Sequence, residues 1–318
     1  MSANRSQRGL ALISALMIVS LAGILAAGRM FSLQLESQAS RTLMESSRAR
    51  LIALGIEELA VEVLLADLLD GDTDHRGESW ASGLGTMNVG LMRLTGSIED
   101  MQGRFNVNNL VTVQGTVDWI AANQFRRMLR ILGLDETLAV KVVDWVDSDN
   151  LPQQSGGAED EAYTRLDPPY QAPNRPLEDV SELLAVEGFD AASFSVLAPH
   201  ITALPLTSGA SPINLNTATE VVLMSLMEAP DQARAQRWRE LQFSGGMRDL
   251  GQVQESLPPR MRERVSLSSN WFALRLAVSG EQTRFFMTSL LDRQAGKVRT
   301  RWRRQGLPAE AWLAPAVE

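Results

Sequence analysis

Hydrophobic and polar positions divide the chain into three regimes. Residues 10–28 read LALISALMIVSLAGILAAG, nineteen positions without a charge. As a helix rising about 1.5 Å per residue, this run reaches roughly 28 Å, the thickness of one bilayer core. Residues 29–69 hold no proline and one glycine, Gly55. Their apolar positions recur at helical spacing: Phe31, Leu35, Leu43, Leu51, Leu54, Leu59, Val63, Leu65 and Leu69. Glu36, Arg41, Glu45, Arg48, Arg50, Glu57, Glu58 and Glu62 are placed on the opposite, polar face. The pattern predicts an apolar helix running on into an amphipathic one over 10–69.

Residues 70–112 are broken by glycines and read as short strands and turns. Residues 113–268 return to a helical pattern, with helices expected over 117–132, 135–146, 177–186, 191–197, 219–227, 231–241 and 249–256. An acidic, proline-containing loop over 147–176 interrupts them. Residues 269–304 alternate, as in Trp271-Phe272-Ala273-Leu274-Arg275-Leu276-Ala277-Val278, with Ser279-Gly280 and Ala295-Gly296 at the turns. That is the signature of an antiparallel meander. Residues 305–318 form a tail. The fold class is therefore α+β: a long N-terminal helix, membrane-inserted over its first half, packed on an antiparallel sheet, with a large inserted α-helical subdomain between early and late strands.

Arg5 and Arg8 precede the apolar run and no acid does, so the positive-inside rule puts the N-terminus in the cytoplasm and the rest outside. An ordinary signal anchor, or a secretory signal cut near Leu25-Ala26-Ala27, accounts for the run taken alone. The junction Gln7-Arg8-Gly9-Leu10 adds a sharper reading. A short basic leader (residues 1–9) ends in a glycine directly before the apolar run, and glycine lets a protease approach the backbone closely. This looks like a prepilin-peptidase site, cut between Gly9 and Leu10.

Composition narrows the chemistry. The chain has 318 residues and no cysteine, which excludes disulfides, thiolate metal sites and a cysteine nucleophile. Only His75 and His200 are present, which leaves little room for a multi-histidine metal centre. The net charge of −8 is localised: residues 144–190 hold twelve acids against Arg165 and Arg175, and the remainder of the chain is slightly positive. One acidic region, rather than an acidic surface, points to a cation site.

Several stretches together resemble one family, the K-type minor pseudopilins of bacterial type II secretion. They are Arg8-Gly9-Leu10, Asp144-Trp145-Val146-Asp147-Ser148-Asp149, Gly156-Gly157-Ala158-Glu159-Asp160, Pro168-Pro169-Tyr170, Asn174-Arg175-Pro176 and Ile213-Asn214-Leu215-Asn216-Thr217-Ala218. The resemblance implies a pilin-like domain interrupted by a helical insertion, cleavage and N-methylation by a prepilin peptidase, and an anchor in the inner membrane with the globule in the periplasm. It also implies a place at the pseudopilus tip with I- and J-type minor pseudopilins, work with the inner-membrane secretion platform, and an inserted domain facing the secretin or an exoprotein. Most pilins and pseudopilins carry Glu at the fifth mature position. Here, counting from Leu10, it is Ser14. In the family picture that Glu pairs with the amine of the subunit above, and a carboxylate in lipid is tolerated only when paired. A subunit with Ser14 needs nothing above it, which fits the topmost place; Ser14 as a plain anchor residue stays open.

The resemblance further implies Ca²⁺ in the inserted region. Asp147, Asp149, Glu159, Asp160 and Glu161 lie on one loop that Gly156-Gly157 allows to fold back, and calcium takes six to eight oxygens. The spacing is not that of an EF-hand, since Pro152 and Ala158 stand where Gly and Glu belong. Two rival functions are weaker. Ile213-Asn214-Leu215-Asn216-Thr217-Ala218 resembles the opening of helix-hairpin-helix modules in DNA-uptake receptors. Met227-Glu228-Ala229-Pro230 replaces the glycine hairpin that would donate amides to phosphate, so the motif reads as a helix-start and packing device and no nucleic acid is expected. Asp147 with Asp149, or Glu159 with Glu161, would give an enzyme an acid–base pair, but no nucleophile elbow, P-loop or zinc motif accompanies them.

Overall fold

The computed structural model describes residues 3–153, 156–207 and 209–306. Helix α1 (Ala3–Asp70) is one uninterrupted element. Its apolar part is long enough to cross a membrane, with mean hydropathy 2.0, and projects free of the globule.

Where α1 meets the globule, the buried stripe is Ala49, Ala53, Glu57, Ala60 and Leu64. Those positions share one helical face. This corrects the helix-face expectation. Glu57, placed on the polar face, is buried, while Leu43, Leu51, Leu59 and Leu69 of the predicted apolar face are exposed. The reason is close packing: alanines let the helix axis approach the sheet, and leucines at those positions would hold it away. Glu57 is buried because it is satisfied. It accepts from Ser289 Oγ at 2.5 Å, Thr300 Oγ1 at 2.7 Å and the Arg303 guanidinium at 2.6–2.9 Å.

Strands β1 (Gly85–Val89) and β2 (Met92–Asp100) form a hairpin. The chain then leaves for the helical body, entering at β3 (Phe105–Asn106). The body contains α2 (Trp119–Ile131), α3 (Leu138–Val146), α4 (Asp160–Tyr163), α5 (Ala191–Leu197), β4 (Ile201–Thr202), β5 (Ile213–Asn214), α6 (Glu220–Ser225), α7 (Gln232–Phe243), α8 (Gly251–Gln254) and β6 (Val265–Ser266). It returns to the sheet as β7 (Trp271–Ser279), β8 (Arg284–Gln294) and β9 (Lys297–Gln305). The sheet order is β1-β2-β7-β8-β9, every pairing antiparallel. Its inner face, with Leu94, Ile98, Phe272, Leu274, Leu276 and Leu291, packs on α1.

The segment expected as first strands, 70–112, divides in the structure. Its sheet residues end at Asp100, and Phe105, Val107, Leu110 and Val111 belong to the core of the helical body. The helix expected over 177–186 is instead a 3-10 turn, Val180–Ala185, held by a capping box between Asp179 and Glu182. The tail beyond Gly306 lies outside the described residues.

Body and sheet share a buried polar junction. Asp100 accepts from Thr217 Oγ1 at 2.6 Å, Ser269 Oγ at 2.7 Å and Asn214 Nδ2 at 2.8 Å, while burial pushes its carboxyl up. A Cβ on Gly103 would lie 2.6 Å from the Thr217 carbonyl oxygen, so this crossing needs glycine. Arg293, nearly inaccessible, joins Asp67 of α1 at 2.8 Å, Asp74 and the Ser269 carbonyl, and its guanidinium covers the Phe272 ring at 4.6 Å.

Candidate functional site

Helix α3 delivers the first carboxylates. Asp144 and Asp147, three residues apart, share a helical face, and Asp147 is the residue at which α3 ends. The chain then turns through Asp149, whose Oδ1 accepts the Leu151 amide at 2.9 Å, and folds back at 156–157. A Cβ on Gly157 would overlap the Asp144 carboxylate, and would lie 2.6 Å from the Gln153 nitrogen. This return sets Glu159 against Asp147. The segment is then pinned by Tyr163, fully buried and edge-on to Trp145 at 5.0 Å, with Tyr170 stacked on Tyr163 at 5.4 Å. The stretch expected as a plain loop is thus a wrapped lobe with its own short helix, α4.

Asp147, Asp149 and Glu159 bring one oxygen each within 4.8 Å of one another. Asp147 and Glu159 are buried, at 1% and 4% exposure, and all four of their carboxylate oxygens lack a hydrogen-bond donor among the described residues. Burial, with Asp149 and Asp144 nearby, pushes the Asp147 carboxyl up to about 7. Burial together with the neighbouring Asp144 and Asp147 does the same to Glu159, also to about 7. Asp144 rises to about 6, burial outweighing the amides of Gln153 and Ala158. Orphaned buried carboxylate oxygens are rare in native structures, and oxygen-only donors of this charge suit a hard divalent cation. The residues present fit Ca²⁺.

Asp160 and Glu161, expected as ligands, are engaged elsewhere. Asp160 accepts the Ala172 amide at 3.0 Å and Asn150 Nδ2 at 3.1 Å, and exposed Glu161 pairs with Arg165 one turn on. Both begin α4, where acids face the amide end of a helix. Two oxygen-bearing residues at the site were not predicted. Asp144 announces itself only by its three-residue spacing from Asp147. Asn174 donates to the Asp149 carbonyl at 2.7 Å while its own amide oxygen is buried without a donor. Its φ of 46° is a left-handed conformation that asparagine tolerates.

A second acidic group, Asp67, Asp74 and Glu78, is close enough to share an ion, but the Arg293 guanidinium already fills it. The histidines are half-buried. His75 Nδ1 accepts the Gly77 amide at 3.0 Å, and His200 contacts Thr219 Oγ1 at 2.8 Å, with burial lowering its pKa to about 4.

Two asparagine-rich stretches, Phe105-Asn106-Val107-Asn108-Asn109-Leu110 and Ile213-Asn214-Leu215-Asn216-Thr217-Ala218, are one device used twice. Asn106 Oδ1 accepts the Asn108 amide at 3.2 Å, and Asn214 Oδ1 accepts the Asn216 amide at 3.0 Å. Asn108 then pairs with both backbone groups of Leu177, and Asn216 with both of Met247. Each side-chain amide imitates a peptide unit and closes a loop far away in sequence. Asn214 and Asn216 are fully buried, so the motif is spent on packing, which agrees with the sequence reading.

Known proteins resemble this chain in sequence and structure. The family model for protein K of the type II secretion system matches residues 103–206, the part that holds the acidic lobe. Type II secretion system protein K of Pseudomonas aeruginosa is 37% identical over 243 residues, 72% of this chain and 71% of its own. The chain belongs to the type II secretion system protein K family. The family's member from Pectobacterium carotovorum is 32% identical over 94% of this chain and 97% of its own length. In structure, the chain matches one from the crystal structure of the GspK–GspI–GspJ complex of the enterotoxigenic Escherichia coli type 2 secretion system. The TM-score is 0.74 at 27% identity, covering 85% of this chain and 99% of that one. The family is a component of a protein-secretion machine, and the long apolar N-terminal helix is compatible with a single-pass anchor.

Proposed function

We propose that this protein is a minor pseudopilin that caps the tip of the periplasmic pseudopilus and helps begin its assembly. Residues 10–28 hold it in the inner membrane with the N-terminus cytoplasmic and the sheet and helical body periplasmic. Prepilin peptidase cuts between Gly9 and Leu10, and the new N-terminus is methylated. I- and J-type minor pseudopilins then pack along α1, and the inner-membrane secretion platform extends the fibre beneath them.

The observation that carries this reading is the exposed leucine face of α1. Leu43 and Leu51 are 69% and 68% exposed on a helix whose opposite face is already docked on the sheet. Such a face is unfavourable in water and suits other helices. Likeness to a chain of the GspK–GspI–GspJ complex supports I- and J-type proteins as those partners. Ser14 supports the uppermost place, since it leaves no carboxylate to pair with a subunit above. The helical body, joined to the sheet through the Asp100 junction, is the part turned towards the secretin or an exoprotein.

Ca²⁺ would be held by Asp147, Asp149 and Glu159, with the Asn174 oxygen nearby. Bound there, the ion would neutralise these carboxylates and link the end of α3 to the returning segment of the lobe. The role is structural and not catalytic.

Intact mass and N-terminal sequencing of the membrane-extracted protein, with and without prepilin peptidase, test the pathway. A methylated start at Leu10, dependent on the peptidase, and co-purification with I- and J-type partners are expected. A start after Ala27, or no cleavage, removes the reading.

A further inference from the structure

The outer face of the sheet, opposite α1, is only half covered. Strand register defines its rows, because residues directly opposite one another point to the same side. The row containing Leu290 and Trp302 lies under the helical body, where both pack with Leu204, Trp271 and Met101. The next row sets Arg275 beside Ser97. Beyond it runs Thr95–Ala277–Phe286, and the last row is Arg93–Ser279–Arg284. Thr95, Arg93 and Arg284 are exposed, and Ala277, Ser279 and Phe286 are half-exposed.

An uncovered sheet face is ordinarily a solvated mixture of polar residues. This one is mainly basic. Among the described residues, Glu99, one row nearer the body, is shared between Arg104 at 3.0 Å and Arg275 at 2.9 Å, and Asp179 of the body pairs with Arg304 at the β9 end of the Arg275 row. Arg93 and Arg284 have no ion pair among the described residues, and the nearest sequence acid, Glu281, sits in the exposed β7–β8 turn. A half-exposed aromatic, Phe286, stands between the arginine rows, with small side chains beside it that leave its ring accessible. The rows nearest the β7–β8 turn are thus basic in a chain whose acidic excess lies in residues 144–190.

We infer that this half of the outer sheet face is a docking surface for a carboxylate-rich protein segment. Strands lie about 4.8 Å apart and residues along them about 3.4 Å, so Arg93 and Arg284 stand about 10 Å apart, and Arg275 about 13–15 Å from either. The Arg275 guanidinium is already engaged by Glu99, so the docking groups are the exposed Arg93 and Arg284. They match carboxylates distributed along a peptide, each meeting one arginine, with an apolar residue of the segment over Phe286. The inference does not rest on the chain's position in the pseudopilus.

The test uses the full chain in detergent and a fluorescein-labelled peptide in which glutamates alternate with leucine and serine, read by fluorescence anisotropy. The wild type binds it, more weakly as salt rises, and a lysine-for-glutamate version of the peptide does not bind. The Arg93→Glu/Arg284→Glu variant loses at least about tenfold in affinity, and Phe286→Ser loses several-fold. Lys297→Glu/Arg299→Glu, an equal change of charge on the edge strand, stays within about twofold. The inference is overturned if the wild type fails to bind, if the edge-strand variant loses as much as the face variant, or if the face variant binds as the wild type does. Far-ultraviolet circular dichroism and Tm, unchanged for these exposed arginines, keep binding loss apart from unfolding.

Discussion

Replacing Asp147 by Asn should stabilise the metal-free protein above neutral pH and shrink the stabilisation that calcium adds. Three carboxylates within 4.8 Å repel by about 3.5 kcal/mol per fully charged pair at an effective dielectric constant of about 20, and two of the three pairs involve Asp147. The raised pKa, caused first by burial and then by Asp149 and Asp144, sets the net penalty. A shift from 3.8 to about 7 amounts to about 4 kcal/mol against the ionised native state. Asn keeps the shape and removes that charge. In chelator at pH 8, the variant's helical body should melt about 10 °C above wild type, at about 2–4 °C per kcal/mol for a unit of this size. Calcium at about a hundred times its Kd should raise wild type by about 2.7 kcal/mol and the variant by less than half of that. Differential scanning calorimetry with chelator and with calcium reads both. A variant no more stable than wild type in chelator, or an equal calcium shift in the two proteins, would refute the electrostatic account of this site.

The same carboxylates set a pH dependence. Asp144, Asp147 and Glu159 have raised pKa values in the folded state, so the metal-free native state binds protons more tightly than the unfolded chain. Stability in chelator should therefore fall as pH rises from about 4 to about 7, and calcium should flatten the curve; a metal-free Tm that climbs over that window contradicts the shifts. Glu57→Ala should cost about 1–3 kcal/mol, because it strands the buried Ser289 hydroxyl and removes the partner of Thr300 and Arg303; hydrogen exchange should then rise in β8 and β9, and unaltered protection there would show that Glu57 does not hold α1 on the sheet. Asn108→Ala leaves both backbone groups of Leu177 unpaired in the core and should cost about 2–4 kcal/mol in chemical denaturation. Gly103→Ala forces a Cβ against the Thr217 carbonyl and should destabilise by several times the usual Gly-to-Ala change, with a Tm within about 1 °C of wild type counting against the close approach.

Much of the fold was legible because its signals are local. The uncharged run over 10–28, the helical period beyond it, the glycine turns at 280 and 296 and the alternation between them each occupy a few dozen residues, and the structure has α1 and the β7–β9 meander where they indicated. Among the candidate ligands, Asp147, Asp149 and Glu159 do converge. Asp160 and Glu161 were indistinguishable from them by composition. What separates them is that α4 begins at Asp160 and turns both carboxylates to partners of their own.

The packing face of α1 was misassigned for a related reason. Periodicity finds where apolar residues recur, but a helix packs on the side where its partner can come closest. Here that side is alanine with one satisfied glutamate, and the leucines face outward. No local pattern reveals that Glu57 will meet Arg303, 246 positions away. By itself the sequence determined an apolar N-terminal helix, an α+β order of elements and a concentration of negative charge in one lobe, since period, turn chemistry and charge density are properties of neighbouring residues. Tertiary structure alone decided which carboxylates share a site, that Asn108 and Asn216 are spent as internal peptide mimics, and that half of the outer sheet stays bare and basic. Those are matters of distance between segments that only the folded chain brings together.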